Sequence, residues 1–145
     1  MVSGLSTSGA LMPNLNRQLW RTTDTVRFAT LFVGLLDPAS GRLDYVNAGH
    51  DPPILRHADG THEKLTEGGP LLGTLRGLDY TIGRAHLRPG DLLVLYTHGV
   101  VEARRDEDEF FGDAGALAAV RASRDGKARQ IVQQVHGAIR DFSAG

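Results

Sequence analysis

The residues whose types and spacing could do chemistry lie just after a strongly apolar segment. Pro89-Gly90-Asp91 is typical of a turn, and Leu92 to Tyr96 is an apolar run of strand length. This pattern predicts a strand covered on both faces, and the most buried strand of the chain. Thr97-His98-Gly99 follows it as a polar tip, and Glu102 lies four residues beyond His98. An imidazole could bind Zn²⁺ or another borderline metal there, but one ligand does not make a site. The alternative is that His98 only ends a strand.

A second polar group, Asn47-Ala48-Gly49-His50, lies at a predicted strand-to-turn junction. We interpret it as a structural turn, in which Gly49 supplies backbone freedom while Asn47 and His50 bond the local backbone. A direct functional role is the alternative. His57 and the pair His62-Glu63 lie across a tight hairpin and could approach each other, although solvated hairpin tips are the simpler interpretation.

Composition limits the classes of function. The chain has 145 residues, 41% of them apolar, which suits one domain with a buried core. The net charge of −1 gives no sign of a nucleic-acid-binding or anionic-membrane surface. The absence of cysteine excludes disulfides, thiolate metal sites and cysteine nucleophiles. No apolar run approaches the roughly 18 residues that span a membrane, so a cytoplasmic protein is expected.

The elements that must position these residues follow from periodicity. Strands come first and helices are concentrated near the ends, which predicts an α+β fold, an antiparallel β-sandwich flanked by helices. Residues 1–12 are Ser- and Gly-rich and are predicted to be irregular, and 68–77 to be a loop. The predicted helices are 14–21, 113–122 and 127–142, and the predicted strands are 28–36, 42–46, 54–57, 61–65, 80–87 and 92–96.

Five segments in order resemble the PPM (protein phosphatase 2C-like) phosphatases, in the branch of stage II sporulation protein E and related sigma-factor regulators. They are LNRQLWR, RFATLFVGLLDPASGRLDYVNAGHDPP, GGPLLG, LRPGDLLVLYTHGVVEAR and the pair Phe111-Gly112. The family patterns are "FATLF-x-G-x-LD", "YVNAGH-x-PP", "GG-x-PLG", "YTDGV-x-EA" and "FG". The five segments lie between residues 15 and 112, most of the chain. The resemblance implies that residues 1–145 form a single domain that lacks the family's N-terminal metal turn and C-terminal strand.

The resemblance implies hydrolysis of phosphoserine or phosphothreonine in a regulatory phosphoprotein of the anti-sigma-factor-antagonist type. It also implies two Mn²⁺ or Mg²⁺ ions held by carboxylates, which activate a water molecule. Thr97, Gly99 and Glu102 match the "TDGV-x-E" pattern, but His98 stands where the family has its metal-binding Asp. The Asp of the family's "GDVSGHG" turn and the Asp that opens its last strand have no counterpart in this sequence. We therefore expect weak or no activity, with no bound metal as one outcome.

Three functions follow as hypotheses. The first is a PPM-type phosphatase domain that is truncated or degenerate. The second is a non-catalytic binding or regulatory module that uses the charged loop 104–112 to contact a partner. The third is a small cupin-like metal-binding barrel, which ranks last because His57, His62, Glu63 and His98 lack its ligand spacing. A missing last strand would also leave an unpaired sheet edge, which predicts self-association or a covering partner chain.

Overall fold

The computed structural model describes residues 11–22, 27–123 and 126–144. In chain order the elements are α1 (Leu11–Thr22), β1 (Leu31–Leu36), β2 (Arg42–Ala48), β3 (Ile54–Arg56), β4 (His62–Lys64), β5 (Gly68–Gly69), β6 (Gly83–His86), β7 (Leu92–Val94), α2 (His98–Val101), α3 (Gly112–Ala122) and α4 (Ala128–Ala144). They fall into two compact units, one of residues 1–52 and 64–90, the other of residues 53–63 and 91–145.

The first unit is built on β2. This strand pairs antiparallel with β1 and β6 and, through its last two residues, parallel with β5. Every residue of β2 except Arg42 is buried, because strands flank it and α1 lies against one face. Met12, Val46, Ala48 and Leu72 form the core on that face. The buried strand therefore carries Asn47 to a fixed position at its end.

Two predictions for this unit are wrong. Residues 11 and 12 are helical, since Met12 packs into the core and belongs to the same apolar face as Leu15 and Leu19; residues 1–10 lie outside the described part of the chain. The predicted loop 68–77 begins with β5, which pairs with β2 because Gly68 has no side chain to keep its backbone away from Asn47.

The second unit contains a three-stranded sheet in the order β4-β3-β7, with β3 and β7 antiparallel. The core is apolar and links this sheet to the helices; its buried members are Ile54, Tyr96, Phe111, Ala116, Ala119 and Val120. The Arg56 guanidinium also donates a hydrogen bond to the carbonyl of Ser123 just after α3. Helix α3 is therefore held to β3 by both apolar and polar contacts.

β7 is not the most buried strand. Its three residues are half-buried and Leu95 is 52% exposed, whereas β2 is buried almost throughout. The reason is its position, because among the described strands β7 ends the order β4-β3-β7 and pairs on one side only. The apolar run predicted burial on both faces, but an edge strand can carry the same residues.

The α+β fold class, with antiparallel sheets and helices, is confirmed. That residues 1–145 form a single domain stays a prediction. Of the helices in the described ranges, none is long and apolar enough to cross a membrane.

Candidate functional site

His98 begins a short helix rather than ending a strand. The chain leaves β7, buries Tyr96, and turns at Thr97, whose backbone is extended (φ −107°, ψ 167°). The carbonyl of Thr97 accepts a hydrogen bond from the amide of Val100 at 2.9 Å, which starts the helix, while the Thr97 side chain makes no capping bond. His98 and Gly99 are both exposed. The tip predicted from the sequence is therefore a solvated helix start.

The residues around His98 do not fit a pair of Mn²⁺ or Mg²⁺ ions. Such ions need several carboxylate oxygens. Glu102 is one helical turn away, and its amide donates to the carbonyl of His98 at 2.9 Å, but it is a single carboxylate. Within residues 11–22, 27–123 and 126–144, no three His, Asp or Glu side chains are grouped so that they could hold a metal ion. The donor set here does not match the family's two-metal chemistry.

The charged loop after α2 is fastened by its own side chains. Arg105 pairs with both carboxylate oxygens of Glu109, at 3.1 and 3.2 Å, and lies over the ring of Phe142 at 4.6 Å. Arg104 lies over the ring of Phe110 at 4.7 Å. Both guanidinium groups therefore have partners other than Glu102. Because the loop is fixed to α4, its exposed acidic side chains hold defined positions on the surface, where a partner can contact them.

The group around Asn47 is organised as a turn. The side-chain carbonyl of Asn47 accepts from the amide of His50 at 2.8 Å, and its side-chain amide donates to the carbonyls of His50 and Leu65 at 3.0 and 3.2 Å. His50 in turn contacts the carbonyl of Asp51 through Nδ1 at 2.8 Å. Asn47 is only 4% exposed, and its side-chain oxygen and nitrogen both form hydrogen bonds with backbone groups. This geometry favours a structural over a catalytic role.

Gly49 completes that turn. Its φ of +67° lies in the left-handed region, which glycine adopts without strain. A Cβ at this position would lie 2.8 Å from both the backbone nitrogen and the Cβ of Leu71. The turn therefore needs glycine for its backbone angle and for the space.

The structure groups three side chains that sequence reasoning only partly found. His57 Nδ1 lies 3.0 Å from a carboxylate oxygen of Asp91, and His57 Nε2 lies 3.4 Å from Glu63. The Asp91 side chain is only 2% exposed and also accepts from the amide of Ala58 at 3.0 Å. The hydrogen bond to Asp91, helped by the charges of Asp91 and Glu63, raises the pKa of His57 above its usual value. His62 is exposed and lies outside these contacts.

The sequence left open the approach of His57 and Glu63 across the hairpin but favoured solvated hairpin tips, and it gave no sign of the pairing with Asp91. These two partners are 34 residues apart and meet because β3 and β7 are neighbours. The one available signal was the turn at Pro89-Gly90-Asp91, which places a carboxylate just before β7.

Comparisons with known proteins agree with this fold. The sequence profile described as stage II sporulation protein E (SpoIIE) matches residues 2–145. Protein IcfG of Synechocystis sp. is 32% identical over 123 residues, which cover 80% of this chain and 19% of IcfG. Phosphoserine phosphatase RsbU of Bacillus subtilis is 27% identical over 130 residues, which cover 89% of this chain and 38% of RsbU.

Among solved structures, the fold is similar to the PP2C phosphatase domain of SpoIIE from Bacillus subtilis, with a TM-score of 0.77 and 17% identity. That match covers 95% of this chain and 40% of the solved chain. At this identity the likeness shows the fold alone. The chain spans 19% of IcfG and 38% of RsbU, so it corresponds to part of each relative.

Proposed function

The chain belongs to the stage II sporulation protein E family, and from that premise we propose that it is a domain of the PPM-type protein serine/threonine phosphatase class. The substrate or partner would be a phosphorylated anti-sigma-factor antagonist or a similar regulatory phosphoprotein of the cytoplasm. The profile match over residues 2–145 and the resemblance to RsbU, which is named a phosphoserine phosphatase, support this assignment.

One observation carries the finer proposal, that this chain by itself is inactive or nearly so. PP2C-type phosphatases generally depend on Mn²⁺ or Mg²⁺. The described residues contain no cluster of three or more side chains that could hold such an ion, and His98 replaces the aspartate of the "TDG" pattern. A neutral imidazole supplies neither the charge nor the oxygen that a hard cation prefers.

The same observation favours a second candidate, a non-catalytic module that binds a phosphoprotein without hydrolysing it. The loop around Arg105 and Glu109 offers a surface for this, because it is both exposed and fastened to α4. This candidate predicts binding without turnover.

The first experiment is hydrolysis of p-nitrophenyl phosphate with Mn²⁺ titrated in, for the unmodified chain, His98→Asp and a control variant, His136→Asp, at an exposed position of α4. We expect no Mn²⁺-dependent turnover in any of the three, because restoring one acid does not build a two-metal site. Mn²⁺-dependent turnover in the unmodified chain would refute the inactivity proposal. Turnover only in His98→Asp would show that the other acids are present after all.

A binding measurement separates the two candidates. Calorimetric titration with a phosphorylated antagonist-type protein should show association if the chain is a non-catalytic module. Charge reversal at Glu109 should weaken that association, whereas charge reversal at the exposed Glu63 should not. Absence of any association would refute the non-catalytic module, whereas absence of turnover is the result that both candidates predict.

A further inference from the structure

A cationic pocket in the first unit has no place in the function proposed above. It has a volume of about 580 Å³ and lies between α1 and residues 76–79. Among the residues that the structure describes, its charged lining consists of Arg17, Arg21, Arg76 and Asp79, and the indole of Trp20 forms part of its wall. Three guanidinium groups against one carboxylate give a local formal charge of +2, in a chain whose net charge is −1.

The pocket is held by a buried polar contact. Asn16 of α1 is only 1% exposed. Its side-chain amide donates to the carbonyl of Leu75 at 2.8 Å, and its side-chain oxygen accepts from the amide of Gly73 at 2.8 Å. These two bonds fix the segment that carries Arg76 against the helix that carries Arg17 and Trp20. The pocket is therefore a preformed feature of the first unit.

The arginines are available to a ligand. Arg17 and Arg21 are four residues apart and so lie on one side of α1. Neither they nor Arg76 form a salt bridge with any carboxylate in the described part of the chain, although Arg76 lies over the Trp20 ring at 5.6 Å. All three side chains are exposed, so each can turn its donors toward a bound anion.

We propose that this pocket binds a small organic phosphate of about the size of a mononucleotide. Guanidinium groups recognise phosphate oxygens through paired N–H donors, and three of them suit a dianion. The volume is far larger than one phosphate needs and falls in the range of small-molecule sites, about 300–1,000 Å³. Pro13, Trp20 and Leu78 supply an apolar wall for the organic part.

The only tryptophan of the chain is Trp20, so its fluorescence reports occupancy of this pocket directly. The probes are AMP, adenosine, inorganic phosphate and O-phosphoserine, with excitation at the red edge of indole absorption and calorimetry as a second readout. We expect saturable binding of AMP, weaker binding of inorganic phosphate, and binding of adenosine at least about tenfold weaker, since a charged hydrogen bond is lost. O-phosphoserine bound more tightly than AMP would point instead to a phosphoprotein and overturn the small-molecule proposal.

Variants test the residues. Arg17→Gln and Arg76→Gln should each weaken AMP binding about tenfold, because each loses a charge-assisted contact. Arg76→Lys should also weaken it, since lysine keeps the charge but loses the paired donors. Arg140→Gln, at an exposed position of α4 in the other unit, is the matched control and should bind AMP as the unmodified chain does.

Circular dichroism checks that each variant is folded; Arg17 and Arg76 are exposed, so folding should be retained. The proposal is overturned if AMP gives no saturable signal, if adenosine binds as tightly as AMP, or if Arg140→Gln weakens binding as much as Arg17→Gln.

Discussion

Replacing Asn47 with alanine tests the structural interpretation of the Asn47-to-His50 turn. The change removes one bond to the carbonyl of Leu65, a residue that is 1% exposed, and two bonds to the half-buried backbone of His50. A buried carbonyl left without a partner costs about 1–3 kcal/mol, and each of the other bonds contributes about 0.5–1.5 kcal/mol net because water can replace the side chain there. Together they predict that Asn47→Ala lowers the free energy of unfolding by about 2–6 kcal/mol.

Urea unfolding followed by circular dichroism measures this change, with Asn14→Ala as the matched control. Asn14 is exposed on α1, so its replacement should change the unfolding free energy by less than about 0.5 kcal/mol. The midpoint should fall with little change in the slope against urea, since the surface exposed on unfolding is similar. If Asn47→Ala were as stable as Asn14→Ala, the hydrogen bonds of Asn47 would contribute nothing and the structural interpretation would be refuted.

Three further predictions concern other parts of the chain. The hydrogen bond to Asp91 raises the pKa of His57 in the folded state above its ordinary value of 6.5, so the stabilisation by this pair is fully present below pH 6.5 and is lost as pH rises through the folded pKa. In urea unfolding, the difference in unfolding free energy between the unmodified chain and His57→Gln should therefore shrink from acidic to alkaline pH. A difference that does not change with pH would contradict this prediction. Gly49→Ala should lower the unfolding free energy by about 1–3 kcal/mol, and by more than the control Gly60→Ala. Both glycines have positive φ, but of the two only Gly49 lacks space for a Cβ. Equal melting temperatures for the two variants would show that the lack of space is unimportant. The half-buried edge strand β7 and the exposed Leu95 predict self-association that rises with protein concentration and is reduced by Leu95→Lys. Sedimentation velocity measures this association. A monomer at every concentration would contradict the prediction.

Local patterns predicted much of the fold. The tight hairpin predicted between His57 and His62 forms between β3 and β4. Its turn has Gly60 at φ +88°, and the side chain of Asp59 accepts a hydrogen bond from the amide of Thr61 at 2.8 Å. The alternating residues of β2 and the helical spacing in α4 likewise predicted the right elements to within a few residues. The match of motifs in order predicted the family, because each motif is a short segment read independently of its distant neighbours.

Elements that depend on distant partners were predicted less well. The apolar run of β7 predicted burial on both faces, whereas its position at the end of the sheet order leaves it half-buried. Similarly, residues 68–77 were predicted to be a loop, but the pairing of Gly68 and Gly69 with β2 makes this pair a strand.

The sequence alone determined the types and approximate limits of the elements, the family, and the substitution of the expected aspartate by His98. Only the tertiary structure decided which charged groups meet, such as His57 with Asp91, 34 residues away, and which segments form the cationic pocket, where Asn16 bonds to Leu75 across 59 residues. The physical reason is that backbone preferences and apolar periodicity act over a few residues. Contacts between distant side chains depend instead on how strands are ordered and which edges are covered.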